Sequence, residues 1–182
     1  RTQLKRSTQV VDAFNIPRLE MPGFEADDVL GSAAQWATEQ GLGVKIFTGD
    51  RDLLQLVNDR VIISLPGRKL SDSKDYTAAS VQELWGVQPD QVVDLKALMG
   101  DSSDNIPGVK GVGVKTGAKL LAKYDTLENV YENLTEIAAG VQKKLVTDKD
   151  NAFLSQKLAR IVTDLEVAFD LEQARITQYD PQ

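Results

Sequence analysis

Val44-Lys45-Ile46-Phe47-Thr48-Gly49-Asp50-Arg51-Asp52 decides the fold. Val44, Ile46 and Phe47 around a single lysine, closed by Gly49, read as a short strand that runs directly into two aspartates. On the N-terminal side, Ala26, Val29, Leu30, Ala33, Ala34 and Ala37 recur with the helical period and predict a helix over 26–40, ended by Gly41 and Gly43. On the C-terminal side, a short helix is expected over 53–57 and a second strand over 60–65, closed by Pro66-Gly67. Further upstream, Leu4, Val11 and Phe14 share one helical face, followed by an extended stretch over 16–19. Strand–helix–strand alternation with short connections predicts an α/β core with a mostly parallel sheet covered by helices.

From about Tyr76 the pattern turns all-helical. Short helices are punctuated by Gly86, Pro89, Gly100, Pro107 and a glycine cluster from Gly108 to Gly117, with later helices over 115–123, 127–134, 141–146 and 151–161. The expected division is an α/β core over 1–90 and a helical subdomain over 91–182, in contact rather than joined by a linker. Starting at Arg1, inside a helical pattern, the sequence is expected to be a piece of something longer. It has no run of 18 apolar residues, so no membrane-spanning helix is expected.

The 182 residues contain no Cys and no His. That excludes disulfides, thiolate nucleophiles, Cys-type zinc sites, a Ser-His-Asp triad and imidazole-ligated metals, and makes an intracellular setting natural. Carboxylates, Lys, Arg, hydroxyls or a hard metal held by oxygen remain.

Carboxylates cluster in three places. Glu25, Asp27 and Asp28 open the helix that starts at Ala26, with Glu25 and Asp28 three apart on one face. Charge complementation of the helix N-terminus explains acids there equally well. Asp50 and Asp52 follow the strand Val44–Phe47, at the strand end where open α/β sheets bind ligands. Capping of the next helix by Asp50 would explain one of the two, not both. Asp101 and Asp104 lie in Gly100-Asp101-Ser102-Ser103-Asp104-Asn105, which taken alone reads as a polar Asx loop.

Together these seven carboxylates, with no nitrogen or sulfur donor beside them, suit Mg²⁺ or Mn²⁺ rather than Zn²⁺. So many acids in one cleft repel each other unless cations neutralise them. Two metals about 4 Å apart on bridging carboxylates suit in-line phosphodiester hydrolysis. The purely structural alternative is a scattered acidic surface.

The stretch Pro107-Gly108-Val109-Lys110-Gly111-Val112-Gly113-Val114-Lys115-Thr116-Gly117 precedes a helix. Gly111-Val112-Gly113 makes a sharp turn whose N–H groups can face a phosphate next to a helix N-terminus. It matches neither a P-loop nor a dinucleotide fingerprint. Lys115, Lys119 and Lys123 recur every four residues, a stripe that with Lys110 could clamp a sugar–phosphate backbone or be only a solvated face. Trp36 and Trp85 both lie in helical apolar patterns and are expected in the core.

Glu25-Ala26-Asp27-Asp28, then Gly49-Asp50-Arg51-Asp52, then Gly100-Asp101-Ser102-Ser103-Asp104-Asn105-Ile106-Pro107-Gly108-Val109-Lys110-Gly111-Val112-Gly113 resembles the 5′-nuclease (flap endonuclease) superfamily, and within it the bacterial 5′→3′ exonuclease domains. Phe153-Leu154-Ser155-Gln156-Lys157-Leu158-Ala159 and Thr163-Asp164-Leu165 add to the match, which runs from about Leu4 to about Phe169. The resemblance implies a PIN-like α/β domain, incomplete at the N-terminus, followed by a helix–hairpin–helix that grips duplex DNA. It implies metal roles for Glu25, Asp27, Asp28, Asp50 and Asp52 at a first ion and for Asp101 and Asp104 at a second. Asp27, Asp28, Asp50 and Asp52 are the expected catalytic residues. Lys110, Gly111, Gly113, Lys115, Thr116 and Lys119 are the expected DNA contacts, with K⁺ at the hairpin.

The implied partner is duplex DNA with a 5′ flap or 5′ end, not a membrane, in the bacterial cytoplasm at the nucleoid. Family members also carry a preceding strand with a further aspartate and a basic helical gateway, which this sequence lacks. The alternative function is therefore a non-catalytic duplex-DNA-binding fragment. A Mg²⁺ phosphatase using Asp50-x-Asp52 is a third reading, which leaves the other acids surplus.

The net charge of −6 does not oppose a nucleic-acid partner. Setting the seven clustered acids aside turns an excess of six acids into an excess of one basic residue.

Overall fold

The computed structural model describes residues 2–14, 16–67, 69, 72–167, 170–172 and 174–175. Phe169 and the Leu4 side chain, both used in the sequence reading, lie outside the described residues. The chain forms two compact units, residues 1–36 with 162–182, and residues 37–161.

In the first unit, helix α1 (Thr2–Ala13) precedes an irregular stretch and then α2 (Ala26–Glu39). α2 begins where the sequence places it and buries Val29, Gly31, Ser32 and Ala34. Its start is held by half of a capping box: Asp28 Oδ2 accepts from the Glu25 N–H at 3.3 Å. The returning chain docks on the same helix. The Val162 N–H donates to Asp28 Oδ1 at 2.9 Å, Ser32 Oγ donates to the Val162 carbonyl at 3.3 Å, and the Leu165 N–H donates to Ser32 Oγ at 3.2 Å.

The second unit contains the sheet. Strands β1 (Val44–Phe47) and β2 (Val61–Leu65) pair in parallel with Val44 opposite Val61 and Phe47 opposite Ser64. A parallel pair needs a crossover of about a dozen residues or more. Here the crossover carries a 3₁₀ turn, Asp52–Leu56, whose Leu53 and Leu54 are completely buried. β2 is central, with Val61, Ile63, Ser64 and Leu65 buried. The third strand, β3 (Lys74–Tyr76), was not legible in the sequence. It pairs antiparallel to β2, Ile63 opposite Tyr76, so the described sheet is mixed. Lys-Asp-Tyr has too little apolar character to signal a strand, and Lys45 of β1 reaches Asp75 of β3 across the sheet at 2.7 Å.

The helical half follows: α3 (Ala78–Trp85), α4 (Val92–Met99), α5 (Val114–Tyr124), α6 (Leu127–Glu132), α7 (Ala139–Thr147) and α8 (Lys149–Ala159). α4 is its axis and packs against α5 and α8. Val92, Val93, Leu95, Ala97 and Leu98 are all buried, as a helix surrounded on every side requires. Asp94 and Lys96 of α4 are buried with them, so each must find partners. Asp94 does so by accepting from the Leu127 N–H at 2.9 Å and from Gln156 Nε2 at 2.8 Å, which ties α4 to the start of α6 and to α8. Burial still pushes the Asp94 carboxyl above its ordinary range.

Candidate metal centre

After β1 the backbone turns sharply. Thr48 Oγ1 accepts from the Asp50 N–H at 3.0 Å, and Asp50 Oδ1 accepts from the Asp52 N–H at 2.9 Å. Asp50 thus supports the turn locally, while Asp52 is half-buried.

The second acidic segment is a closed loop. Asp101 and Ile106 exchange both backbone hydrogen bonds, at 2.9 and 2.8 Å. Gly100 (φ 73°) and Gly108 (φ 59°) bring the loop's ends together, and a Cβ on Gly100 would lie 2.8 Å from the Ile106 carbonyl oxygen. Only glycine fits that approach. The Gly108 N–H donates to buried Ser155 Oγ of α8 at 2.9 Å, so the loop is anchored from below.

The fold brings Asp52, Asp101 and Asp104 together, with one oxygen of each within 4.8 Å of the others. Asp50 joins them along an open cleft of about 490 Å³ that Trp85, Lys96 and Met99 also line. Trp85 is therefore half-buried beside the acids rather than a core residue, and Trp36 is likewise only half-buried.

Lys96 is the residue that sequence reasoning missed. Its Nζ donates to Asp52 Oδ1 and, at 2.7 Å, to Asp101 Oδ2, and its side chain is 3% exposed. The available signal was a lone lysine inside Val-Val-Asp-Leu-Lys-Ala-Leu-Met, directly before Gly100-Asp101. Burial alone would lower the lysine's pKa, but the hydrogen bonds to Asp101 and Asp52 outweigh it and raise it. Hydrogen bonds from Lys96 and Ser103 hold the Asp101 carboxyl down to about 2. Asp52 moves the other way, because burial outweighs its bond to Lys96.

Three carboxylates at this spacing, with oxygen as the sole donor type, fit a hard divalent cation. Asp52, Asp101 and Asp104 are the residues that could hold it. Glu25, Asp27 and Asp28 belong to the first unit, in and before the first turn of α2. Both Asp28 oxygens accept backbone N–H groups there.

The glycine hairpin is a tight turn in which the Val112 N–H bonds to the Val109 carbonyl at 3.0 Å, with both valines buried. Gly111 has φ 77°, and Gly113 caps α5 with an extended backbone. The turn is held from the side by Asp148, which accepts from the Lys110 N–H at 2.9 Å, and by Lys144, which donates to the Gly111 carbonyl at 2.8 Å. On α5, Gly117, Leu120, Leu121 and Tyr124 face inward, leaving Lys115, Lys119 and Lys123 exposed. Thr116 is half-buried. Lys123 is already engaged by Glu136 at 3.0 Å and by the Tyr124 hydroxyl at 2.8 Å.

Residues 1–86 match the family model of the 5′-3′ exonuclease N-terminal resolvase-like domain, and residues 87–182 match that of the 5′-3′ exonuclease C-terminal SAM fold. DNA polymerase I of Caldicellulosiruptor bescii is 44% identical over 182 residues, covering 99% of this chain and 21% of that protein. DNA polymerase I of Bacillus subtilis is 42% identical over 160 residues, covering 87% of this chain and 18% of its own length. The chain spans about a fifth of the length of these curated relatives.

Among solved structures, the T5 5′-exonuclease with divalent metal ions (zinc) bound matches with TM-score 0.70 and 24% identity, over 79% of this chain and 52% of that one. The catalytic core of Rad2 in complex with DNA substrate matches with TM-score 0.60 and 24% identity, over 92% and 57%. These two share the fold. By its sequence, the chain belongs to the 5′-3′ exonuclease family.

Proposed function

We propose that this chain is part of a divalent-metal-dependent 5′→3′ exonuclease and 5′-flap endonuclease that hydrolyses DNA phosphodiesters in replication and repair. The observation that carries the reading is the convergence of Asp52, Asp101 and Asp104 on one cleft, in a chain of 5′-3′ exonuclease sequence. On this reading residues 1–90 are the nuclease core and 91–182 the DNA-binding subdomain. Asp101 and Asp104 serve one ion, and Glu25, Asp27, Asp28, Asp50 and Asp52 serve another and its waters. Mg²⁺ or Mn²⁺ would supply activation of water and charge stabilisation at the scissile phosphate. The protein's own residues bind and orient: Asp50 and the Gly100–Gly108 loop hold the carboxylates, and the cleft admits a phosphate flanked by Trp85.

Lys110, Gly111, Gly113, Lys115, Thr116 and Lys119 grip the duplex backbone at the hairpin. That the Lys115 and Lys119 side chains are exposed on the outer face of α5 supports this. K⁺ is the proposed ion at the hairpin. The T5 and Rad2 structures, solved with metal ions and with DNA substrate respectively, support both halves of the reading. The proposed substrate is duplex DNA with a 5′ flap or 5′ end, and the proposed setting is the bacterial cytoplasm at the nucleoid, within a longer DNA polymerase I-like polypeptide.

None of Lys110, Lys115, Lys119 and Lys123 lines the acidic cleft, which favours a second reading, in which this segment binds duplex DNA without cleaving it. One experiment separates them: a 5′-flap duplex is incubated with this chain, and with the same chain extended N-terminally, in Mg²⁺, Mn²⁺ or EDTA. Metal-dependent release of the flap by the extended chain supports the nuclease. An intact flap with salt-sensitive, metal-independent binding overturns it in favour of the second reading.

A further inference from the structure

Lys96 occupies the position most directly opposed to a cation in the cleft. Its helix neighbours Leu95, Ala97 and Leu98 are completely buried, and its own side chain is 3% exposed, so the ammonium has little water to replace the two carboxylates. Its ammonium bonds Asp52 from the turn after β1 and Asp101 from the loop after α4, two segments that no backbone hydrogen bond joins directly at these residues. The same two aspartates, with Asp104, form the cluster of oxygens spaced for a divalent ion. An ion bound at Asp52 or at Asp101 draws on a carboxylate that the ammonium already bonds, and it meets a positive charge beside it.

We propose that Lys96 is a resident counter-ion that holds Asp52 and Asp101 at ligand spacing and weakens the cluster's grip on a divalent cation. It is a positioning residue, acting through the two carboxylates. The inference rests on reading the three aspartates as a metal site. Removing the ammonium has two effects. The cluster becomes more negative and loses its competitor, which tightens cation binding, and the carboxylates lose their brace, which raises their mutual repulsion in metal-free protein. Both effects point to protein that depends more on metal.

The test uses the 182-residue chain with Lys96→Met, Lys96→Gln and Lys96→Arg. Free Mn²⁺ is counted by electron paramagnetic resonance during titration, and melting temperature is read with and without Mn²⁺. Lys96→Met and Lys96→Gln are expected to bind Mn²⁺ about tenfold more tightly than wild type and to gain more in melting temperature when it is added. Lys96→Arg, which keeps the charge, is expected to stay within about threefold of wild type. If Lys96→Met does not fold, Lys96→Gln carries the comparison, since its amide still donates to a carboxylate. Equal or weaker Mn²⁺ binding by the neutral variant that folds overturns the counter-ion role while leaving the metal site standing. Absence of Mn²⁺ binding in wild type and all variants overturns both.

Discussion

Gly108 lies against Gly100 so closely that a Cβ on Gly108 would sit 2.5 Å from the Gly100 Cα. This approach closes the loop that carries Asp101 and Asp104, and it places the Gly108 N–H on Ser155 Oγ. Local backbone geometry at two glycines therefore sets where two of the three clustered carboxylates can stand.

Gly108→Ala is expected to destabilise the fold by about 2–4 kcal/mol, because the new methyl meets backbone at a position already requiring positive φ. Urea unfolding measures this. An unchanged midpoint would show that the loop relaxes freely, and that the close approach does not position the acids.

Asp94 distinguishes a buried acceptor from a buried charge. Asp94→Ala leaves the Leu127 N–H and the Gln156 amide without their acceptor and is expected to cost about 2–3 kcal/mol. Asp94→Asn keeps one acceptor oxygen and removes a charge that burial disfavours, so its cost is expected to be under about half of that. Denaturant midpoints of the two variants, at one pH near neutrality, decide it.

Acid should act through Asp101. Its carboxyl is held down to about 2 by Lys96 and Ser103, so the stability it contributes is fully present above its ordinary value of 3.8 and is lost as pH falls toward about 2. Wild type in EDTA is expected to lose stability more steeply than Asp101→Asn across that window. Parallel curves for the two proteins would remove Asp101 from the acid response.

Duplex binding should depend on lysines unequally. Lys115→Ala and Lys119→Ala are each expected to weaken binding and reduce the log–log salt slope by about 1. Lys123→Ala is expected to change it less, because Glu136 already pairs with Lys123 at 3.0 Å. Fluorescence anisotropy with a labelled duplex over a salt series provides the slopes, and equal losses at all three positions would contradict this ranking.

Several features were readable from the residues because their causes are local. The helical period over 26–40 becomes α2 (Ala26–Glu39), Val44–Phe47 is β1, and the lysine spacing on 115–123 lies on the exposed face of α5. Trp85 and β3 were not readable for the same kind of reason. An apolar helical pattern does not say which flank of the helix borders a cleft, and a three-residue charged strand exists only because β2 offers it a free edge.

By itself, the sequence determined α2, β1, β2 and α5 to α8, the glycine turns and the oxygen-only chemistry, since periodicity, φ preference and the absence of His and Cys are properties of neighbouring residues and composition. Only the tertiary structure decided that Asp52 meets Asp101 and Asp104, and that Lys96 sits between Asp52 and Asp101. A lysine in a short helix reads as a solvated charge until packing removes its water. Once α4 is buried on all sides, the cost of an unpaired ammonium forces it onto the nearest carboxylates. That choice depends on which segments the core brings together, and no local pattern encodes it.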